Sequence, residues 1–223
     1  MKFLVYSHSS YFDCLDICIG EMVNYGIPDI TILCDIPYRN YTTIQYDNSH
    51  SYSDRLLSCL KQVREEKFVF LHEDFILYSR PDFAKLENIT QLSFDSLRLI
   101  RSGVSDLRFK VEENIYKIVN HSDFHFALQA SIFSRKYLIK LLESYPGLNI
   151  WELEVESQTV ARDYNNLVYY DDTPLRGLYH YDSTIFPYVA TAINKGKWSS
   201  EYYLELSKLH KEYGVDSNIR GWT

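Results

Sequence analysis

Phe68-Val69-Phe70-Leu71-His72-Glu73-Asp74-Phe75-Ile76-Leu77 is the stretch whose reading decides the fold. Four apolar residues lead into a His-Glu-Asp triplet and an apolar run resumes at once, the pattern of a buried strand ending in acids at its carboxyl end. In open α/β sheets ligands bind in the crevice beyond the carboxyl ends of the strands, where an acid can hold a metal ion or a ribose. The competing reading is a solvated turn between two strands, because acids are common at strand ends.

N-terminal to this stretch, Phe3 to Tyr6 read as a first buried strand. Asp13 then opens an amphipathic helix carrying Leu15, Ile17, Cys18, Ile19, Met22 and Val23 to a stop at Gly26. Asp29 to Asp35 form a second strand, β-branched, ending in an acid and closed off by Pro37. A right-handed crossover makes these strands parallel, with their carboxyl ends on one rim. Ile44 to Tyr46 fit a short strand. A helix follows, capped by Ser51 or Ser53, with Asp54 in the first turn where the dipole favours an acid and Leu56, Leu57, Leu60 and Val63 on its buried stripe. Arg55 opposes that dipole, which points to an anionic or planar partner or else to a solvated surface cation.

C-terminal to the stretch, Pro81-Asp82 open a helix with Phe83, Leu86 and Ile89, and Asp95 to Ile100 read as a strand. Residues 109–119 alternate like a hairpin, 126–133 read as another strand, and Arg135 to Tyr145 as a helix. A helix starting at Trp151 is expected to continue through Ala161. Residues 163–190 are rich in Tyr and Asp, and "AINKGKW" at 192–198 sets two lysines about a glycine. A helix from Ser199 to His210 precedes what reads as a frayed polar end. This second half is expected to turn antiparallel. No repeat, low-complexity tract or linker divides the chain.

At 223 residues and 46% hydrophobic content the chain suits one sizeable core. A net charge of −7 argues against a nucleic-acid partner, which needs a basic stripe to release counterions. Twenty Tyr and three Trp suit sugars and bases as well as core packing. Cys14, Cys18, Cys34 and Cys59 lack zinc-type spacing and read as buried free thiols. The first residues are too short for a signal sequence and no segment is apolar enough to span a membrane, so a cytoplasmic location is expected.

Four stretches, "SYSDRLLSCLKQV", "FVFLHEDFIL", "ALQASIFSRKYLIKLL…NIWELEVES" and "AINKGKW", taken in this order and spacing, resemble the small GT-A-fold nucleotide-sugar glycosyltransferases of bacteria and large DNA viruses, over roughly residues 3–198. The resemblance implies an α/β, Rossmann-like GT-A single domain over 1–223, with a mixed, mainly parallel sheet flanked by helices and a smaller antiparallel acceptor-side part. It divides the domain into a nucleotide-binding half (about 1–100), an acceptor half (about 101–198) and a C-terminal helical tail (199–223). It implies transfer of a sugar from a nucleoside-diphosphate donor, expected to be UDP-linked, to a hydroxyl of a glycan or other acceptor. If the source is viral, the compartment is the host cytoplasm.

In that family a strand-end acid motif sits on the nucleotide diphosphate through a divalent cation, Mn²⁺ or Mg²⁺. Here Asp74 matches its last acid, Glu73 precedes it, and His72 stands where the first acid would be. Lys197, with Lys195 in reserve, would stabilise the departing diphosphate as a point charge; the alternative is a solvated turn. His180 is a candidate late-chain metal ligand, against a merely hydrogen-bonded histidine. Asp54 and Arg55 would contact the nucleotide, Asp35 or Ser7 to Ser9 would lie near base and ribose, and Tyr6 or His8 would stack on the base. Gln129 would face the donor sugar or acceptor, or be a satisfied core amide. For an inverting reaction Glu152 is the first candidate base and Glu154 the second, because the WExE pattern does not say which acid turns inward; Trp151 would offer a sugar platform. Acids favoured at a helix start by the dipole alone are the alternative.

Two other functions compete. A nucleotidyltransferase needs a glycine-rich loop after the first strand to cradle a triphosphate, and "SHSSYFD" has no Gly. A non-catalytic carbohydrate- or nucleotide-binding protein explains the aromatics but neither the strand ending at Asp74 nor the lysine pair.

Overall fold

A computed structural model describes residues 1–101, 108–119, 122, 124–173, 175–176 and 181–223. The first strand–helix–strand unit is β1 (Lys2–Tyr6), α1 (Phe12–Asn24) and β2 (Ile30–Cys34), with β1 and β2 parallel. Gly26, at φ 85°, turns the chain out of the helix in a conformation that side-chain-bearing residues disfavour. β3 (Thr42–Gln45) adds parallel to β2. α2 (Tyr52–Leu60) begins at Ser51, whose hydroxyl accepts the Asp54 N–H, a cap worth about 1 kcal/mol.

The strand at the heart of the sequence is β4 (Lys67–His72), parallel to β1 with Tyr6 opposite His72. Period-two alternation explains its nearly unbroken apolar run: Val69 and Leu71 join Phe3 and Val5 in the core under α1, whereas Phe68 and Phe70 join Leu4 and Tyr6 in the core under α2. Beyond it come β5 (Ile76–Leu77), α3 (Phe83–Thr90), β6 (Ser96–Arg98), the hairpin β7 (Lys110–Glu112) and β8 (Ile115–Lys117), β9 (Ser131–Ser134) and α4 (Arg135–Ser144). The chain finishes with α5 (Ile150–Glu156), α6 (Gln158–Ala161), β10 (Asn166–Tyr169), β11 (Tyr188–Val189), the small hairpin β12 (Ile193–Asn194) and β13 (Lys197–Trp198), and α7 (Tyr203–Tyr213).

One nine-stranded sheet runs in the order β3-β2-β1-β4-β9-β6-β10-β8-β7. Only β9 and β8 oppose the other strands, so seven share a direction and the sheet is mixed and mainly parallel. α1, α3 and α7 cover one face and α2, α4, α5 and α6 the other, while β5 with β11 and β12 with β13 form small antiparallel pairs. This is the α/β, Rossmann-like class expected from the sequence. No helix among the described residues is long and apolar enough to cross a membrane.

Three local expectations change. The strand read at 126–133 is only Ser131–Ser134, because side chains take the backbone of its first half: Gln158 bonds both N–H and carbonyl of Phe126, and Glu154 accepts the Leu128 N–H. The helix from Trp151 to Ala161 breaks at Ser157 into two short ones. The end read as frayed packs back on the body. Trp198 and Trp222 form a β-bridge, the Trp198 N–H donates to the Gly221 carbonyl, and the Thr223 N–H donates to the Trp198 carbonyl.

Candidate active site

The carboxyl ends of β1, β2, β4, β6 and β10 meet on one rim. At the end of β4, Glu73 and Asp74 are half-buried neighbours. Burial, and for Glu73 also the repulsion of Asp74, raises both carboxyls toward neutrality. The Ile193 N–H bonds the Asp74 carboxyl, and the Ala192 N–H donates to the Asp74 carbonyl at 3.1 Å. The acid pair is thereby tied to the β12–β13 hairpin, whose turn carries the exposed Lys195 and Lys197 around Gly196.

His72 plays a different part from an acid. It is buried, its ring bonds the Leu128 backbone, and its Nε2 lies 2.9 Å from the Tyr52 hydroxyl. Burial pushes its pKa down to about 4, so the imidazole is neutral; with the other ring nitrogen donating to the Leu128 backbone, Nε2 accepts the hydrogen bond of the Tyr52 hydroxyl. An aromatic chain continues from it, with ring centroids 5.5 Å apart for His72 and Phe75 and 5.2 Å apart for Phe75 and Tyr188. Glu73 and Asp74 would offer a divalent cation hard carboxylate oxygens, which suit its chemistry. Among the described residues no third His, Cys, Asp or Glu joins them, so phosphate oxygens and water would complete its shell.

Glu154 and Glu152 are held differently. Glu152 is exposed and closes a capping box at the start of α5, accepting the Asn149 N–H at 2.9 Å while Asn149 caps Trp151 and Glu152. Glu154 turns inward. Its Oε1 accepts the Leu128 N–H at 2.6 Å, and burial raises its pKa against the pull of that bond and of Arg98. Arg98, at the end of β6, is buried, and its guanidinium donates to the Phe124 carbonyl. Burial brings its pKa down to about 10, while Glu154 and Tyr188 favour its charge. Tyr188 in turn feels Asp74, and Tyr52 feels both Glu154 and Glu73. Tyr52 thus feels the charge of both acid stations, whereas Arg98 answers to Glu154 and Tyr188 to Asp74.

On the β1–β2 side, Tyr6 is buried and stacked on Tyr46, ring centroids 5.3 Å apart, so one face of its ring is already covered. His8 is half-exposed and caps a 3-10 turn at Ser9–Tyr11, with Nε2 3.7 Å from Asp35. Burial alone would raise Asp35, but bonds from the Ser9 hydroxyl, the Cys34 thiol and the Ser9 N–H outweigh it and hold the carboxyl below its usual range. Arg55 lies over the Tyr46 ring at 5.4 Å and donates to the Asn48 carbonyl. Asp54 accepts from the Ser51 hydroxyl and the Gly147 N–H, joining α2 to the loop before α5. Gln129 is half-buried beside the start of β9. Trp151 stands 73% exposed on α5, and His180 lies outside the described residues.

The structure adds Arg98, Tyr188, Tyr52 and Arg220 to the rim. A lone arginine within the apolar strand "SLRLI" was a usable signal for the first. Nothing local marks Arg220, whose guanidinium grips Asp13 at the start of α1 and whose charge acts on Glu73.

No protein-family model matches the chain, and no curated protein matches it either. Solved structures do. Staphylococcus aureus TarS superposes over 95% of this chain and 39% of its own, at 15% identity and TM-score 0.53. A TarS fragment, residues 1–349, matches 95% of this chain and 65% of its own, at 15% identity and TM-score 0.54. The same fragment in complex with UDP-GlcNAc matches over 65% of this chain and 47% of its own, at 15% identity and TM-score 0.45. The chain therefore spans about two fifths of the full TarS chain and just under two thirds of the fragment, and at this identity what it shares with TarS is the fold.

Proposed function

We propose that the chain moves a glycosyl group from a nucleoside-diphosphate sugar, UDP-linked, to a hydroxyl of a glycan acceptor with inversion. The observation that carries this reading is that two acid stations meet at Leu128: its N–H bonds the inward Glu154 on α5, and its backbone bonds the ring of His72, which directly precedes Glu73 and Asp74 at the end of β4. A divalent cation on Glu73 and Asp74 supplies charge for the departing diphosphate. Lys197 and Lys195 add point charges from the adjoining turn. Tyr6, His8, Asp35, Asp54 and Arg55 form the nucleotide side of the rim. Gln129 faces the sugar.

Of the WExE acids, Glu154 takes the base role, since the carboxylate of Glu152 is engaged in capping a helix. Burial makes Glu154 a stronger base than a surface carboxylate, the Leu128 N–H aims it, and Arg98 favours its charged form. Trp151 offers an apolar platform beside it. The fold shared with TarS, a protein that has been crystallised with UDP-GlcNAc, agrees with this reading.

Thermal-shift titration with nucleoside diphosphates, with and without Mn²⁺, tests the donor site, because a ligand of the folded state raises the melting temperature by mass action. Asp74→Ala is expected to abolish donor hydrolysis and transfer while the protein stays folded. Undiminished turnover in that variant would remove the assignment.

A further inference from the structure

The C-terminal tail ends against the lysine turn, and one side chain makes the junction. Arg220 Nε and Nη2 grip the two carboxylate oxygens of Asp13 at 2.6 and 2.5 Å, the bidentate geometry in which guanidinium–carboxylate pairs are strongest. The same Nη2 donates to the Ser10 carbonyl, and Nη1 reaches the Gly196 carbonyl at 3.4 Å. The guanidinium also lies over the Tyr11 ring at 4.5 Å, and its side chain is only 12% exposed. One residue therefore joins three separate segments: the first βα connection, the turn bearing Lys195 and Lys197, and the tail. The tail reaches this place because Trp222 bridges to Trp198, the residue directly after Lys197.

On the reading of this rim as the nucleoside-diphosphate site, we infer that Arg220 is a positioning residue whose clasp on Asp13 seats the Lys195-Gly196-Lys197 turn beside Glu73 and Asp74, so that the diphosphate site is incomplete without the C-terminal tail. All three guanidinium nitrogens are engaged by protein, so Arg220 acts through the turn it holds and not as a phosphate ligand. Gly196, at φ 78°, takes a backbone conformation that side-chain-bearing residues disfavour, and its carbonyl accepts from Arg220 Nη1. The backbone of the turn is fixed at both ends, by the Asp74 contacts to residues 192 and 193 and by the Trp198–Trp222 bridge. Arg220 is the restraint at its tip.

Calorimetric titration of the full chain with UDP, GDP, CDP, ADP and dTDP, each beside its nucleoside, tests the clasp. Arg220→Gln is expected to weaken binding of the preferred diphosphate about tenfold or more, the size of a lost hydrogen bond to a charged group, while leaving the nucleoside unchanged. Asp13→Asn should reproduce that loss, and the double variant should be no worse than either single one, because both remove one interaction. Arg220→Lys, which keeps the charge but not the fork, should also lose affinity for the diphosphate and serves if the glutamine variant does not fold. Unchanged diphosphate affinity in Arg220→Gln or Arg220→Lys overturns the inference. So does a loss in Arg220→Gln that Asp13→Asn fails to share, since Arg220 would then be a direct ligand. Failure of every diphosphate to bind the unmodified chain overturns the donor-site reading itself, and the clasp's role with it.

Discussion

Glu154→Gln separates the two acids of the WExE segment. The substitution keeps the side-chain volume and leaves an oxygen able to accept the Leu128 N–H, which Glu154 now accepts at 2.6 Å. It removes the negative charge that faces the buried Arg98, whose contact with the Phe124 carbonyl survives. The structural cost is therefore one charge-assisted bond made neutral, about 1–2 kcal/mol, or a fall in melting temperature of about 2–8 °C for a domain of this size. The catalytic cost is much larger, because a lost general base slows the chemical step about 10²–10⁴-fold, or about 3–5 kcal/mol. The assay is release of nucleoside diphosphate from the donor under single-turnover and steady-state conditions, with donor affinity measured separately. The donor dissociation constant should barely move while kcat falls. The pH profile adds a second check: burial raises Glu154, so the acid limb of kcat lies above the usual carboxylate range in the unmodified chain and disappears in the variant. Glu152→Gln should instead keep the capping bond from the Asn149 N–H and lose only the charge that the helix dipole favours, costing about 0.3–1 kcal/mol in stability with kcat unchanged. A Glu154→Gln enzyme within about threefold of normal kcat, alongside a crippled Glu152→Gln enzyme, would refute the assignment and return the base role to Glu152.

The acid pair makes stability depend on pH. Because Glu73 and Asp74 are raised in the folded state, that state holds more protons than the unfolded chain between about pH 5 and 8, so stability falls as pH rises through this window. Melting curves from pH 5.5 to 8.5 should show the fall, and Glu73→Gln should flatten it; Mn²⁺, competing with the same proton, should bind more tightly as pH rises. Tyr52→Phe deletes the donor to His72 Nε2 and strands a buried acceptor, which should cost about 1–3 kcal/mol in chemical denaturation; an unchanged midpoint would mean that the 2.9 Å contact carries no weight. Gly20→Ala places a methyl group 2.1 Å from the Tyr213 ring, so Tyr213 must give up its bond to Glu21 where α1 meets α7. Overpacking of about 1–3 kcal/mol should outweigh the roughly 1 kcal/mol that alanine adds to helix propensity, and calorimetry should show a lower melting temperature.

Much of this molecule is written in short-range pattern. Period-two burial in β1, β2 and β4, the stripes of α1, α2 and α4, the Ser51 cap and the Gly26 stop are local properties, because hydrophobic periodicity and capping act over a few residues. The same pattern, with the right-handed crossover, placed Asp35 and the His72-Glu73-Asp74 triplet on one rim. Strand β10 was not legible: Asn166 to Tyr169 sit in a Tyr- and Asp-rich region, and pairing with β6 and β8 makes them a strand. The failed first half of the strand at 126–133 has the converse cause, since its backbone bonds go to Glu154 and Gln158, side chains some thirty residues away.

By itself, then, the sequence determined the α/β class, the strand that ends in acids, and the candidate acids themselves, because each depends on residue type at a fixed local spacing. Tertiary structure alone decided which acid of WExE turns inward, that His72 is a neutral partner of Tyr52, and that Arg220 closes on Asp13 across the turn at Gly196. Those outcomes depend on burial and on charges brought together by chain folding over tens to hundreds of residues, and desolvation and Coulomb forces answer to distance in space, not to position in the chain.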